Sequence, residues 1–193
     1  MSSHPGIRAL SDLLIPCGQS SDGAPHDLAG VAEAEQRLGI RLPSDYIAFI
    51  ETYGSGGIGE DPLWIPPPYG PPGTDSVAGS AELFWEQAPQ HYSHLLPHDI
   101  SADKLLRWGF IEDGTHLFWL MTGNDSNAWP IADLYEDGGP LTIHEDGFAA
   151  YVQRWCTPTP GPTQEPVQFI HWREYNRLLD EGLNPATGFP WAL

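Results

Sequence analysis

Residues 105–144 alternate apolar segments of strand length with turn sequences, and no other feature constrains the fold as strongly. Residues 105–111 and 115–121 flank Glu112-Asp113-Gly114, and Asp-Gly between two apolar runs is a hairpin signal. Gly123-Asn124-Asp125-Ser126 and Glu136-Asp137-Gly138-Gly139 set off two further runs, at 127–134 and 140–144. Connections this short cannot hold the crossover that parallel strands need. The stretch is therefore expected to be an antiparallel meander.

Helical spacing flanks it on both sides. Leu28, Val31, Ala34 and Leu38 recur at helical intervals, with Asp27 placed to cap the start and Gly39 to close the end. Residues 40–43 form an extended link, and Pro43 suits the first turn of the next helix, where its missing N–H costs nothing. Tyr46, Phe49, Ile50 and Tyr53 share one face of that helix, which Gly54 stops. Phe148, Tyr151, Val152 and Trp155 form an apolar stripe later on. The spacing predicts helices at 28–38, 44–53 and 146–156 and a short strand at 63–65, with residues 55–59 as a flexible glycine turn. Helices segregated from a meander define an α+β domain. An antiparallel sheet of about four to six strands is expected, with helices at one face and the edges.

Three regions read as additions. Residues 1–26, rich in Ser, Gly and Pro, are expected as a flexible leader to a domain at 27–157. Residues 66–97 are a Pro-rich insertion with a short helix from Ser80. Residues 158–193 are expected as a Pro-rich linker and a short helical tail, with Trp172, Tyr175, Leu178 and Leu179 on one side of the helix.

Charge narrows the function. The chain has 26 Asp and Glu against 8 Lys and Arg, a net charge of −18. Between Arg41 and Arg154 lie 17 acids and two bases, Lys104 and Arg107, so this stretch alone carries −15. Nucleic acid and anionic membrane surfaces are disfavoured as partners, and a basic protein is favoured. Apolar runs such as Leu117-Phe118-Trp119-Leu120 fall far short of the roughly 20 residues that span a bilayer. Cys17 and Cys156 are expected as free thiols of a cytoplasmic protein.

A catalytic constellation does not emerge. The Gly54-Ser55-Gly56-Gly57 cluster lacks the Lys-Ser/Thr of a phosphate loop and follows a helix rather than a strand. His91, His94 and His98 beside Asp99 are candidate metal ligands, but Pro89 and Pro97 interrupt the segment and no further ligand motif accompanies it. The pairs Glu112-Asp113, Glu136-Asp137 and Glu145-Asp146 adjoin turns, where solvated acids are expected. Asp125 with Asn124 and Asn127 lacks the register of a calcium loop. Cys156 ends an apolar helix, which suits a packed thiol better than a nucleophile paired with His171. No catalytic residue, cofactor or metal is therefore expected.

Two blocks carry a family resemblance. The first is Glu35-x-x-Leu38-Gly39-x-x-Leu42-Pro43-x-Asp45-Tyr46-x-x-Phe49-x-x-x-Tyr53-Gly54-x-Gly56. The second is Leu117-Phe118-Trp119-Leu120, a turn to Trp129-Pro130-Ile131, and Phe148-x-x-Tyr151-Val152. Together they resemble the SUKH superfamily, the Smi–Knr-like group. The resemblance implies an α+β protein that acts by binding. In bacteria such proteins include immunity proteins that neutralise a cognate polymorphic toxin, often a nuclease, whereas fungal relatives are linked to cell-wall assembly and signalling. The motif residues Leu42, Pro43, Asp45, Tyr46, Phe49, Tyr53, Gly54, Gly56, Phe118, Trp119, Trp129 and Pro130 are structural in character. The reading is a non-enzymatic binder of a basic toxin domain, with Glu60, Asp61, Trp64, Asp113, Asp125, Glu136 and Asp137 as candidate contacts. Its rivals are a regulatory scaffold with a house-keeping partner and a metal-dependent hydrolase built on the three histidines.

Self-repulsion among 18 excess negative charges gives a first prediction. Raising NaCl from about 0.05 to 0.5 M shortens the Debye length from roughly 14 to about 4 Å, so Tm should climb by a few degrees. Thermal melts across that series check it, and a flat or falling Tm contradicts it.

Overall fold

The hairpin expected at Glu112-Asp113-Gly114 is formed, and it sits inside an eight-stranded sheet, with strands on both sides of it. The computed structural model describes residues 4–17, 28–60, 62–71, 73–135, 137–157 and 166–185. Its helices are α1 (Pro5–Leu10), α2 (Leu28–Leu38), α3 (Ser44–Tyr53), α4 (Val77–His91), α5 (Phe148–Cys156) and α6 (Trp172–Asp180). Its strands are β1 (Leu14–Cys17), β2 (Gly56–Ile58), β3 (Leu63–Ile65), β4 (Leu105–Ile111), β5 (Thr115–Leu120), β6 (Ile131–Tyr135), β7 (Thr142–His144) and β8 (Val167–His171). The spatial order is β1-β8-β2-β3-β4-β5-β6-β7, antiparallel throughout except for the β1–β8 pair. The class is α+β as expected, but the sheet is wider. Residues 56–58, read as a flexible turn, form β2, and the two ends of the chain supply β1 and β8. Residues 5–17, read as leader, hold α1 and β1, and residues 167–180, read as tail, hold β8 and α6. The rest of the leader and the linker at 158–165 lie outside the described residues.

Both faces of the sheet are covered. In β5 the four residues 117–120 are all buried, with no alternation of polar and apolar positions. A strand that is apolar on both faces must lie between two layers. Leu106, Trp108, Leu117, Trp119 and Ile131 pack on one side with residues from α1, α2, α3 and α5 and with Val77, Ala78 and Ala81 at the start of α4. Leu105, Phe118, Leu120, Ala132 and Leu134 pack on the other, beneath Phe84 and Tyr92. The Pro-rich insertion thus contributes to both layers: α4, which starts at a Ser76 cap and runs past Pro89 to His91, puts Val77, Ala78 and Ala81 into the first and Phe84 into the second, where Tyr92, Leu95 and Leu96 follow it. β3 pairs with β4 only at Leu63↔Ile111 and Trp64↔Phe110, and α4 lies along the part of β4 that this leaves open. There Trp85 donates its indole N–H to the Leu105 carbonyl at 2.8 Å. The run expected as a strand at 127–134 begins later, because Asp125 caps a short 3₁₀ turn at Ser126–Ala128.

The motif residues explain how the helices are held. Pro43 opens α3, and the Asp45 carboxylate in its first turn reaches across to α5. Its Oδ2 accepts the Ala149 N–H at 2.9 Å, one of the orphan donors at the start of that helix, and its Oδ1 accepts the Tyr46 N–H. The Tyr46 hydroxyl donates to the Pro66 carbonyl, and its ring meets Trp119 and Phe148 edge-on at 5.1 and 5.3 Å. Phe49 packs on Phe148 and Phe169, and so links α3 to α5 and to β8. Gly56 is required by proximity: a Cβ there would lie 2.2 Å from the Ile170 carbonyl oxygen. Leu42, Tyr53, Phe118, Trp119 and Trp129 are buried, and the Pro130 carbonyl accepts the Leu120 N–H.

Asp45 thus acts as a helix cap supplied from another element. Asp45→Ala should cost about 1–2 kcal/mol, and Asp45→Asn, which keeps an acceptor, clearly less. Urea unfolding of the two variants checks the order; equal losses contradict the capping role.

Candidate functional site

Consecutive antiparallel strands send alternate connections to the same end of a sheet. The β2–β3, β4–β5 and β6–β7 connections therefore share one end. They bring together Glu60, Glu112, Asp113 and Asp137, which are exposed. Asp113 accepts the Thr115 N–H at 2.9 Å and shapes its turn, and Gly114 takes the positive φ that the turn demands. Among the described residues no Lys or Arg pairs with any of the four carboxylates. Tyr135 stands among them, with its hydroxyl 3.4 Å from Asp137 Oδ2. The negative charge of Asp137, helped by burial and by Asp113, holds that phenol above its ordinary range.

Of the other expected contacts, Asp61 and Glu136 lie outside the described residues. Asp125 sits at the opposite end of the sheet, between β5 and β6, where it accepts the Asn127 N–H. Trp64 is 4 % exposed, because α6 lies over it. Trp172 and Tyr175 meet its ring edge-on at 5.2 and 4.7 Å, and its indole N–H points to Glu112 Oε1 at 3.4 Å. Trp172, at 37 % exposure, is the most exposed of the three, and Tyr175 is half-buried. Beside it a groove of about 490 Å³ opens between α6, β8 and the β2–β3 turn, lined by Glu60, Trp64, Glu112, Gln168 and Tyr175 among others. Burial first, and then the Glu112 charge, raise the Tyr175 hydroxyl. Sequence reasoning placed Trp172 and Tyr175 on one helix face but not at the site. Nothing in the sequence says that β8 returns to pair with β2.

The candidate chemical groups are dispersed. His91 ends α4, whereas His94 and His98 follow in exposed turns. Among the described residues no group of three or more His, Cys, Asp or Glu is placed to hold a metal ion. Cys156 is 1 % exposed, and burial pushes its thiol up to about 12, so near neutral pH it is not a thiolate. Asp133 and His144 form a half-buried pair at 2.5 Å across β6 and β7, beside Tyr151.

This architecture defines an α+β domain with helices on both faces of a mainly antiparallel sheet and an acidic loop end. Residues 25–155 match the model of the SMI1 / KNR4 family (SUKH-1), well over half of the chain. The chain belongs to this family. The match stops short of β8 and α6. Comparison with curated proteins and with solved structures gives no match. No helix among the described residues is long and apolar enough to cross a membrane.

The buried acids make stability sensitive to alkali. Burial raises the Cys156 thiol and the Tyr53 and Tyr151 phenols in the fold. As pH rises the unfolded chain loses these protons first, so folding stability falls from about pH 9 upward, toward the folded Cys156 value of about 12. Denaturant midpoints measured from about pH 7.5 to 10.5 should be level at first and then decline. A level profile through the whole range contradicts this.

Proposed function

We propose that the protein is a non-enzymatic, cytoplasmic immunity protein that neutralises a basic toxin domain, of the kind that degrades nucleic acid, by binding it directly. Family membership supports this class of activity. One observation carries the reading: Glu60, Glu112, Asp113 and Asp137 stand exposed at one end of the sheet without a basic partner among the described residues. A nuclease must be basic where it grips phosphate. An acidic surface can cover that ground and draw the two proteins together. The loops spring from a sheet packed on both faces, and a preformed surface of this kind needs little reorganisation to bind. The regulatory-scaffold reading uses the same surface and differs in the partner.

A basic toxin domain is expected to be encoded beside this chain, and co-expression of the two should restore growth. The association rate should fall at least tenfold between about 0.05 and 0.5 M NaCl, with a smaller change in dissociation. Asp113→Lys with Asp137→Lys should slow association by roughly tenfold or more, whereas Asp99→Lys, at the far end of the sheet, should change it little. A salt-independent on-rate, or equal effects at both ends, contradicts the proposed interface. Failure of growth rescue contradicts the immunity role itself.

A further inference from the structure

We infer that the groove between α6 and the β2–β3 turn is a pocket for an arginine side chain of the protein partner, an inference that rests on the toxin-binding reading above. Two kinds of group meet there. Tyr175, half-buried, supplies aromatic surface and the buried Trp64 backs it at the floor, while the exposed Glu60 and Glu112 supply carboxylates. Neither carboxylate pairs with Lys or Arg among the described residues; Glu112 receives only the long Trp64 indole contact at 3.4 Å. The Glu112 charge also reaches the Tyr175 hydroxyl, so the acid and the aromatic wall adjoin.

A guanidinium fits this pairing of groups. It is planar and weakly hydrated, it stacks on aromatic rings, and its fork of N–H donors matches carboxylate oxygens. A lysine ammonium gains the charge attraction but neither the fork nor the stacking. At about 490 Å³ the groove also has room for the peptide that flanks the arginine.

The groove joins two parts of the chain. Glu60, Trp64 and Glu112 lie within the family match, whereas Gln168 and Tyr175 lie beyond it. The pocket exists only because β8 pairs with β2 and α6 folds back over Trp64. It is therefore an addition to the family unit, placed at the acidic end, where it can select among basic partners.

The test is a titration of the full ¹⁵N-labelled chain with capped Gly-Arg-Gly, followed by NMR, beside the Lys and citrulline analogues. The arginine peptide should shift the Trp64 indole N–H and the Gly59, Glu60 and Tyr175 amides saturably. The Lys peptide should bind roughly fivefold more weakly and the neutral citrulline peptide hardly at all. Glu112→Gln, at an exposed position, should weaken the arginine peptide about fivefold, and Asp99→Asn should not. Equal shifts with citrulline, shifts spread evenly over the acidic surface, or indifference to Glu112→Gln overturn the pocket. The two proposals fail separately. If Glu112→Gln with Tyr175→Leu leaves toxin affinity unchanged, the pocket falls and the immunity role stands. If arginine saturates the groove but no toxin is neutralised, the pocket stands and the immunity role falls.

Discussion

The residues 117–120 of β5 have no polar face, and much of the architecture follows from that. A strand buried on both sides needs a layer above and a layer below. The family motif provides one layer through α3 and α5, clamped by the Asp45 carboxylate on the Ala149 N–H. The 66–97 insertion covers the other with Phe84, Tyr92, Leu95 and Leu96, while the start of its α4 joins the first layer beside β4, where β3 stops pairing. The Pro-rich insertion is therefore part of the core. With both faces of the central strands covered, the exposed loops at the sheet ends are left to meet a partner.

That division accounts for where the charge lies. Carboxylates cannot be placed in either layer without pairing, since burying an unpaired charge costs several kcal/mol. They accumulate in the turns between strands, and the antiparallel topology gathers alternate turns at one end. Strand order thus sets Glu60, Glu112, Asp113 and Asp137 at one end and Asp125 at the other, while Glu51, Glu82 and Glu86 lie on helices. The repulsion among these acids is borne by an aromatic core in which Tyr46, Trp108, Trp119 and Phe148 meet in edge-on and tilted contacts.

The elements that local spacing determines were legible in the sequence. The helices expected at 28–38, 44–53 and 146–156 correspond closely to α2, α3 and α5, the last starting two residues late at Phe148, and the turns of the meander to those between β4 and β7. Long-range pairing was not legible. Gly56-Gly57-Ile58 has the composition of a flexible turn, yet it is a strand because β3 and β8 flank it and only a glycine at position 56 lets β8 approach. Trp64 reads as a candidate contact because its cover, α6, lies more than a hundred residues away in sequence. The acidic turns were identified individually, but their sorting into two ends, with Asp125 apart from Asp113, depends on which connections share a side.

The boundary of the family match gives the arrangement its last consequence. Within 25–155 the motif residues build core and caps, where substitutions are constrained by packing. β8 and α6 lie outside it and add to the sheet at β2, next to the acidic turns. Only Leu178 of α6 is buried, and the helix meets the remainder chiefly through the Trp64 cluster. Side chains on its exposed surface are free to vary without disturbing the two layers. Under the toxin-binding proposal, an acidic end that accelerates encounter, joined to an edge outside the packed layers that sets fit, separates attraction from discrimination. Electrostatic steering cannot by itself distinguish one basic partner from another, so specificity must come from shaped contacts such as those along this edge.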